Sequence, residues 1–313
     1  MADLNVIVSG DLTIDWHIAR VKRPGYIASD WLFDSPLHIF QQKGGGVLLA
    51  DLVSALASRL ENESGQKVKT FTPDIYNRAS SVDPSDIRYH HTTSIWSQFK
   101  GKDKPVWRIE EYLGMTRAEV YDPADWLISP KDVKADLVLL SDLNLGFRDD
   151  RKAWPAAIQT RQPDCPWVVL KTTSPVARGA LWEHLLENFA DRLIVVMTVD
   201  DLRMTEVQIS RELSWERTAQ DVYWEVVYNP CINGLSRCAH TVISFGAAGI
   251  VTLDRQFNTE GPQTKCTLAF DPRVMEGTWE QANPGKVTGY ATCLAGGIAR
   301  QLMINLQQPD IMT

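Results

Sequence analysis

A mostly parallel, doubly wound α/β sheet is the fold class that this sequence predicts. Short runs rich in Val, Ile and Leu alternate with amphipathic stretches along most of the chain. The runs are almost continuously apolar, as strands buried on both faces of a parallel sheet are. Glycine-bearing turns follow several of them, where an α/β protein passes from strand to helix.

In chain order, Asn5 to Ser9 predicts the first strand and Val47 to Leu60 the first long helix. In that helix Leu48, Leu49, Leu52, Val53, Leu56 and Leu60 fall on one stripe. Further strands are expected at Asp136 to Leu140, Trp167 to Leu170, Leu193 to Met197 and Thr241 to Phe245. Helices are expected at Arg178 to Phe189, Met204 to Val227 and Gly289 to Leu306. Arg211, Glu212, Glu216 and Arg217 in the second of these read as a solvated face laced with ion pairs. Two β-rich regions interrupt the alternation, at residues 16–42 and 91–115. The second alternates polar and apolar residues on both sides of Gly101-Lys-Asp-Lys104, the pattern of a hairpin with one wet face. Together they predict a small antiparallel sheet outside the main one. With no repeat, low-complexity tract or linker, residues 1–313 read as a single domain with a β appendage.

The chain has 313 residues, 32 basic and 39 acidic, for a net charge of −7. That balance argues against general nucleic-acid or anionic-membrane binding, which needs clustered Lys and Arg. Composition also excludes collagen-like, disulfide-dense and disordered classes. No window approaches the roughly 18 apolar residues of a membrane helix, and the N-terminus does not resemble a signal peptide. The five cysteines form no C-x-x-C pair. A cytoplasmic protein with reduced thiols is the expectation. His90 and His91 are adjacent, which on a strand sends them to opposite faces, so they predict no metal site.

Four glycine-bearing segments sit where such a fold binds ligands, beyond the carboxyl ends of its strands. They are Ser9-Gly-Asp11 with Asp15, Gly44-Gly-Gly46, Phe245-Gly-Ala-Ala-Gly249, and Pro284-Gly-Lys-Val-Thr-Gly289. Glycine allows backbone amides to approach a ligand closely, and a helix N-terminus favours anions. The P-loop, the G-x-G-x-x-G fingerprint, the G-x-S-x-G elbow and H-E-x-x-H are all absent.

In that order the segments resemble the ribokinase, or PfkB, group of carbohydrate and nucleoside kinases over nearly the whole chain. Val6-Ile-Val-Ser-Gly-Asp-Leu-Thr-Ile-Asp15 is similar to the family's opening strand, and Gly44-Gly-Gly46 resembles the double glycine beside its sugar pocket. Leu139-Leu-Ser-Asp-Leu-Asn-Leu-Gly146 is like its Asp-Tyr-x-x-Gly turn. Ser244-Phe-Gly-Ala-Ala-Gly249 resembles its loop near the nucleotide. The two β-rich regions fall where the family builds a lid over the sugar. The resemblance implies ATP and Mg²⁺ as cofactors. It implies a sugar- or nucleoside-like ligand held by Asp11, Asp15, Gly44 and Gly45, and a homodimer formed through the lid. For the nucleotide and its phosphates it implies Lys171, Thr198, Asp201, Gly246, Gly249, Thr288 and Gly289.

The departures concern catalysis. The family opens a late helix with Gly-Ala-Gly-Asp, whose aspartate takes the proton from the acceptor hydroxyl. Here Gly289 is followed by Tyr290, and a phenol with a pKa of about 10 is a poor base at neutral pH. Leu49 replaces an expected sugar-contacting Asn, and Thr198-Val-Asp-Asp201 stands where Asn-x-x-Glu is expected. Three readings follow. One is a ligand-binding domain with lost or altered kinase catalysis. The second is an active kinase with another base, for which Asp271, Glu276 and Glu280 are candidates. The third is an interaction module that dimerises through the lid, with Trp16, Trp96 and Trp107 available at its interface. The family usually adds helices after the one that ends here, so the chain is also readable as the N-terminal part of a longer protein.

Overall fold

The computed structural model describes residues 3–20, 37–65, 67–71, 106–115, 134–161, 165–173, 178–205, 207–209, 215–246, 249–258, 261–270 and 290–307. Its first strand, β1 (Leu4–Arg20), is far longer than the apolar run at Asn5–Ser9. The reason is a change of pattern within one strand. Up to Val8 the residues are apolar enough for burial on both faces. From Thr13 on, Ile14, Trp16 and Ile18 alternate with Thr13, Asp15 and His17, the period-2 pattern of an antiparallel strand.

The pairing follows that change. Leu4–Ile7 run parallel to β3 (Val68–Phe71), and Val6–Gly10 run parallel to β5 (Leu137–Asp142). Beyond Gly10, β1 leaves the parallel sheet. There it pairs antiparallel with β2 (Leu37–Gly44) on one side and with β4 (Val106–Met115) on the other. The expected antiparallel sheet outside the main one is therefore present, with β1 as its central strand. The register of β1 with β4 shifts between Leu12 and Thr13, where β1 turns into the second sheet. Residues 21–36 and 91–105, which hold the rest of both β-rich regions, lie outside the described residues, as does Trp96.

From β5 the main sheet continues in parallel through β6 (Trp167–Thr172), β7 (Leu193–Thr198) and β8 (His240–Ser244). Two antiparallel strands, β9 (Gly249–Asn258) and β10 (Gly261–Phe270), complete it. The result is a mixed α/β architecture with a mostly parallel central sheet. β3 and the β9–β10 pair were not legible in the apolar runs. β9 alternates Ile250, Val251, Leu253 and Phe257 with Thr252, Asp254 and Arg255, and only its pairing fixes it as a strand.

Every residue of β5 is buried, as expected of a strand covered on both faces. On one face, α1 (Gly45–Ser64) and the last helix pack against Val6, Val8, Leu137, Val169 and Val196. On the other, Phe147, Trp154, Leu185 and Val222 cover Ile7, Val138, Leu140 and Val195. α1 ends at Gly65, whose φ of 73° lets its N–H reach Glu61 O at 2.8 Å. A four-residue turn of helix, α2 (Ala156–Gln159), follows β5, and α3 (Ala180–Asn188) follows β6.

After β7 comes the short α4 (Val199–Arg203), and then α5 (Trp215–Tyr228). The helix expected from Met204 therefore starts at Trp215 instead. Met204 caps α4, because Thr198 and Asp201 close a helix start of their own three residues apart. The last helix, α6 (Tyr290–Gln307), lies against α1 through small residues. Ala291, Ala295 and Ala299 face the core, and a side chain at Gly296 would strike Leu52. Among the described residues, no helix is long and apolar enough to cross a membrane.

Gly10 marks the exit of β1 from the parallel sheet. Its φ is 139°, and a Cβ there would fall against the carbonyl oxygen of Ser141, well inside van der Waals contact. Gly10→Ala should destabilise the protein by about 3 kcal/mol or more, read as a fall in the urea midpoint. An unchanged midpoint would show that β1 and β5 separate freely at this point.

Candidate functional site

From β1 the chain crosses through α1 to β3 on one side, whereas β5 to β8 extend on the other. The reversal falls at the carboxyl ends of β1 and β5, the usual ligand position in an open α/β sheet. Polar side chains are buried there on both faces of the sheet.

On the α2/α3 face, the carboxylate of Asp11 is wholly buried and is ringed by the loop that follows β5. Its Oδ2 accepts from the backbone N–H of Leu143 at 2.8 Å and Leu145 at 3.3 Å, and its Oδ1 from Phe147 at 3.2 Å. Left-handed φ values at Asn144 (59°) and Gly146 (131°) curl the loop so that these amides converge, an anion-holding arrangement of backbone. Burial and the neighbouring Asp142 outweigh the amides, and the Asp11 carboxyl is pushed up to about 6.

Beside it Arg148 makes a buried bidentate pair with Asp142, with Nε to Oδ1 at 3.0 Å and Nη2 to Oδ2 at 2.7 Å. The Thr172 hydroxyl donates to the same Oδ2 at 2.8 Å, and Asn144 N–H donates to Oδ1 at 3.0 Å. Arg148 Nη2 also reaches Thr173 O, which ties the ends of β5 and β6 together. A charge pair taken out of water holds only if its remaining lone pairs and protons are satisfied, and this one is built that way.

The α1/α6 face carries a second group. Gly10, Ser141 and Lys171 stand in direct register across β1, β5 and β6, and Thr198 and Ser244 pair across the ends of β7 and β8. By strand alternation they share the face of Val8, Leu139 and Val169. Lys171 is largely buried. Its charge acts on Asp201, which heads α4 in a capping box. Thr198 N–H and Oγ1 donate to Asp201 Oδ2 at 2.9 and 2.6 Å, and Asp201 N–H donates back to Thr198 Oγ1 at 3.1 Å. Burial raises the Asp201 carboxyl above its ordinary range, while Thr198 and the Lys171 cation oppose that rise. Among the described residues, the hydroxyls of Ser141 and Thr13 are buried without a hydrogen-bond partner.

The other sequence-derived candidates are placed as follows. Gly44 ends β2 and caps α1 with an extended backbone. Gly45 has φ 52°, and a Cβ there would meet Asp11 O at 2.5 Å and Thr13 Oγ1 at 3.2 Å, so only glycine fits between α1 and β1. Asp15 lies in β1 opposite Gln42 and Glu110, on the antiparallel sheet rather than beside Asp11. Gly246 (φ 65°) donates its N–H to Ser244 Oγ, and Gly249 (φ 145°) opens β9 and accepts from Phe245 N–H at 2.9 Å. Tyr290 is the first residue of α6. Thr288, Gly289, Asp271, Glu276 and Glu280 lie outside the described residues.

Lys171, Thr198, Asp201 and Ser244 are thus brought together at one end of the sheet, and Gly44 and Gly45 are brought to Asp11. The apolar-run reading did not single out Arg148 or Thr172. The signal for Arg148 was a charged residue six positions after Asp142, in a turn otherwise made of Leu, Asn, Gly and Phe. Chemically, the α1/α6 side offers a buried cation, hydroxyl donors and glycine turns, a setting suited to an anion. Among the described residues, no three His, Cys, Asp or Glu side chains converge in a way that could hold a metal ion. No protein-family model matches the chain, and no curated protein matches it.

With a folded-state pKa of about 6 and an ordinary value of 3.8, Asp11 binds more protons folded than unfolded between those pH values. Its protonation favours the fold fully below pH 3.8, and that contribution is lost as pH rises through 6. Relative to Asp11→Asn, the wild type should lose about 2 kcal/mol of stability between pH 4 and 6. Chemical denaturation across that range checks it, and parallel profiles for the two proteins would refute the assignment.

Proposed function

We propose that the chain is a ribokinase-like domain that binds a nucleotide or a small carbohydrate-like ligand and has lost or altered phosphoryl transfer. The observation that carries this reading is the placement of Lys171 and the Thr198–Asp201 cap at the carboxyl ends of the adjacent strands β6 and β7. Both lie on the sheet face covered by α6. A largely buried ammonium beside hydroxyl donors and a helix that opens at Tyr290 suits phosphate oxygens.

Three further features support it. The parallel strands are followed by the antiparallel β9 and β10, the family's double glycine has its counterpart against β1 at Gly44 and Gly45, and β1 continues into a separate antiparallel sheet. In this reading the two sheets hold ligand between them, with Asp15 on the outer one and Asp11 and Gly45 at the inner edge.

The residues fit phosphates better than a metal. One oxygen of Asp201 already accepts two hydrogen bonds from Thr198. Mg²⁺ is commonly held by one or two carboxylates plus substrate phosphates, so Asp201 would be its protein ligand on this side. ATP, when bound, supplies the transferable phosphoryl group. Lys171 neutralises phosphate charge and the glycine turns bring amides close. Tyr290, at the position of the family's aspartate, offers no base at neutral pH.

A thermal-shift titration with ATP, ADP, sugars and nucleosides tests the binding. Ligand at about one hundred times its Kd should stabilise the protein by about 2.7 kcal/mol. Lys171→Ala should weaken a nucleotide by about tenfold or more. No shift with any of these ligands rejects the reading. Tyr290→Asp tests the altered chemistry: restoring a base at the right place should raise transfer to a bound sugar by about 10²–10⁴-fold. An unchanged rate in a protein that binds ATP would reject the role given to that position.

A further inference from the structure

A concave site lies at the other end of the sheet. It is a cleft of about 430 Å³ between α5, the turn Asn233–Arg237 and the β9–β10 hairpin, lined by Tyr223, Tyr228, Arg237, Arg255, Gln263 and Thr264 among others. Arg255 pairs in register with Thr264, and its neighbour Asp254 stands opposite His240, the first residue of β8. The cleft is therefore at the amino-terminal end of β8, whereas Ser244 and the Lys171 group are at the carboxyl ends. Nothing in the proposed function uses it.

The geometry points to this cleft as a binding site for a small planar anion, an aromatic or heteroaromatic ring that carries a phosphate or carboxylate group. The electrostatics select the charge. Two guanidinium groups line the cleft, and among the described residues no carboxylate lines it. Asp254, next to Arg255 in the chain, holds His240 at 2.7 Å, and Glu225, between the two tyrosines, accepts from Asn229 at 2.6 Å. Arg255 donates from Nη1 to the backbone carbonyl of Arg237 at 2.9 Å, which ties β9 to the turn before β8. Guanidinium forks match the oxygens of phosphate and carboxylate.

The aromatic residues select the shape. Tyr223 and Tyr228 meet nearly at right angles with centroids 6.4 Å apart, and Tyr228 is stacked on Trp224 at 4.8 Å. Trp224 and Tyr228 are nonetheless 58% and 60% exposed, among the few large apolar side chains left in water in the described residues. Rings already ordered by stacking lose little freedom when a flat ligand covers them. The volume matches a small-molecule pocket.

The test uses the full chain labelled with 3-fluorotyrosine and read by ¹⁹F NMR. Tyr223→Phe and Tyr228→Phe assign the two resonances, so the readout is local to the cleft. Phenyl phosphate, benzoate, inorganic phosphate and phenol are titrated in turn. Phenyl phosphate should move both resonances saturably, with half-saturation at about 1 mM or below. It should bind at least about fivefold tighter than inorganic phosphate or phenol. The ratio of phenyl phosphate to benzoate tells which anionic group the arginines prefer. Arg237→Ala, an exposed change whose unchanged Tm confirms an intact fold, should weaken phenyl phosphate about tenfold. If neither phenyl phosphate nor benzoate moves these resonances, or if Arg237→Ala binds phenyl phosphate as well as the wild type, the site is rejected. Equal binding of phosphate and phenyl phosphate would reject the role of the rings.

Discussion

A buried carboxylate holds the two sheets of this protein in relation to each other. Asp11 stands at the residue where β1 leaves the parallel sheet, and its oxygens collect three amides from the loop that leaves β5. With an apolar residue in its place, those amides would be left buried without a partner, and each unsatisfied buried donor costs about 1–3 kcal/mol. The loop would unwind toward water, and with it Arg148, which is reached only because the chain turns back at Phe147. The Asp142–Arg148–Thr172 network and the exit path of β1 thus hang on one side chain. The cost is visible in the raised pKa of Asp11, since a carboxylate without its own cation is held by dipoles alone.

The distribution of polar groups follows from that arrangement. In the middle of the sheet, β5 to β8 bury almost only Val, Leu, Ile and Met. At the carboxyl ends, where strands stop and helices begin, backbone groups need partners and polar side chains supply them. One face spends its charges on itself, in a closed pair between Asp142 and Arg148. On the other face, Lys171 shares its charge with a carboxylate that is already bonded to Thr198. The first arrangement is complete without a ligand. The second keeps a cation, glycine turns and an unpartnered Ser141 hydroxyl on one side of the sheet.

Much of the core was legible because burial on both faces writes itself into composition. Val138 to Leu140, Val168 to Leu170 and Ile194 to Met197 have no polar interruption, and the structure makes each part of a central strand. β9 and β10 were not legible, because their alternating residues suit a strand as well as a solvated loop. The helix expected from Met204 was misplaced for a different reason. Its charges suit a solvated helix, yet the Thr198–Asp201 box starts a short helix that ends at Met204, before Trp215 begins another. At the site, the glycine segments marked the right turns, but spacing says nothing about which side of a sheet a residue faces. That the Lys171 charge acts on Asp201, 30 positions later, follows from the pairing of β6 with β7. The partnership of Asp11 with residues 143 to 147 follows likewise from the pairing of β1 with β5.

β1 also has a mechanical consequence. It is one unbroken strand of 17 residues, about 56 Å from end to end at the usual rise. It passes through the parallel sheet and forms the spine of the antiparallel one, without a linker between them. A domain joined by a flexible tether swings freely, whereas one joined by a continuous paired strand can only flex and twist like a leaf spring. The compliant point is narrow: Gly10 lies against Ser141, Asp11 is fastened, and the register slips between Leu12 and Thr13. Bending of one sheet against the other is thereby directed to that slip, where the paired strand on either side opposes it.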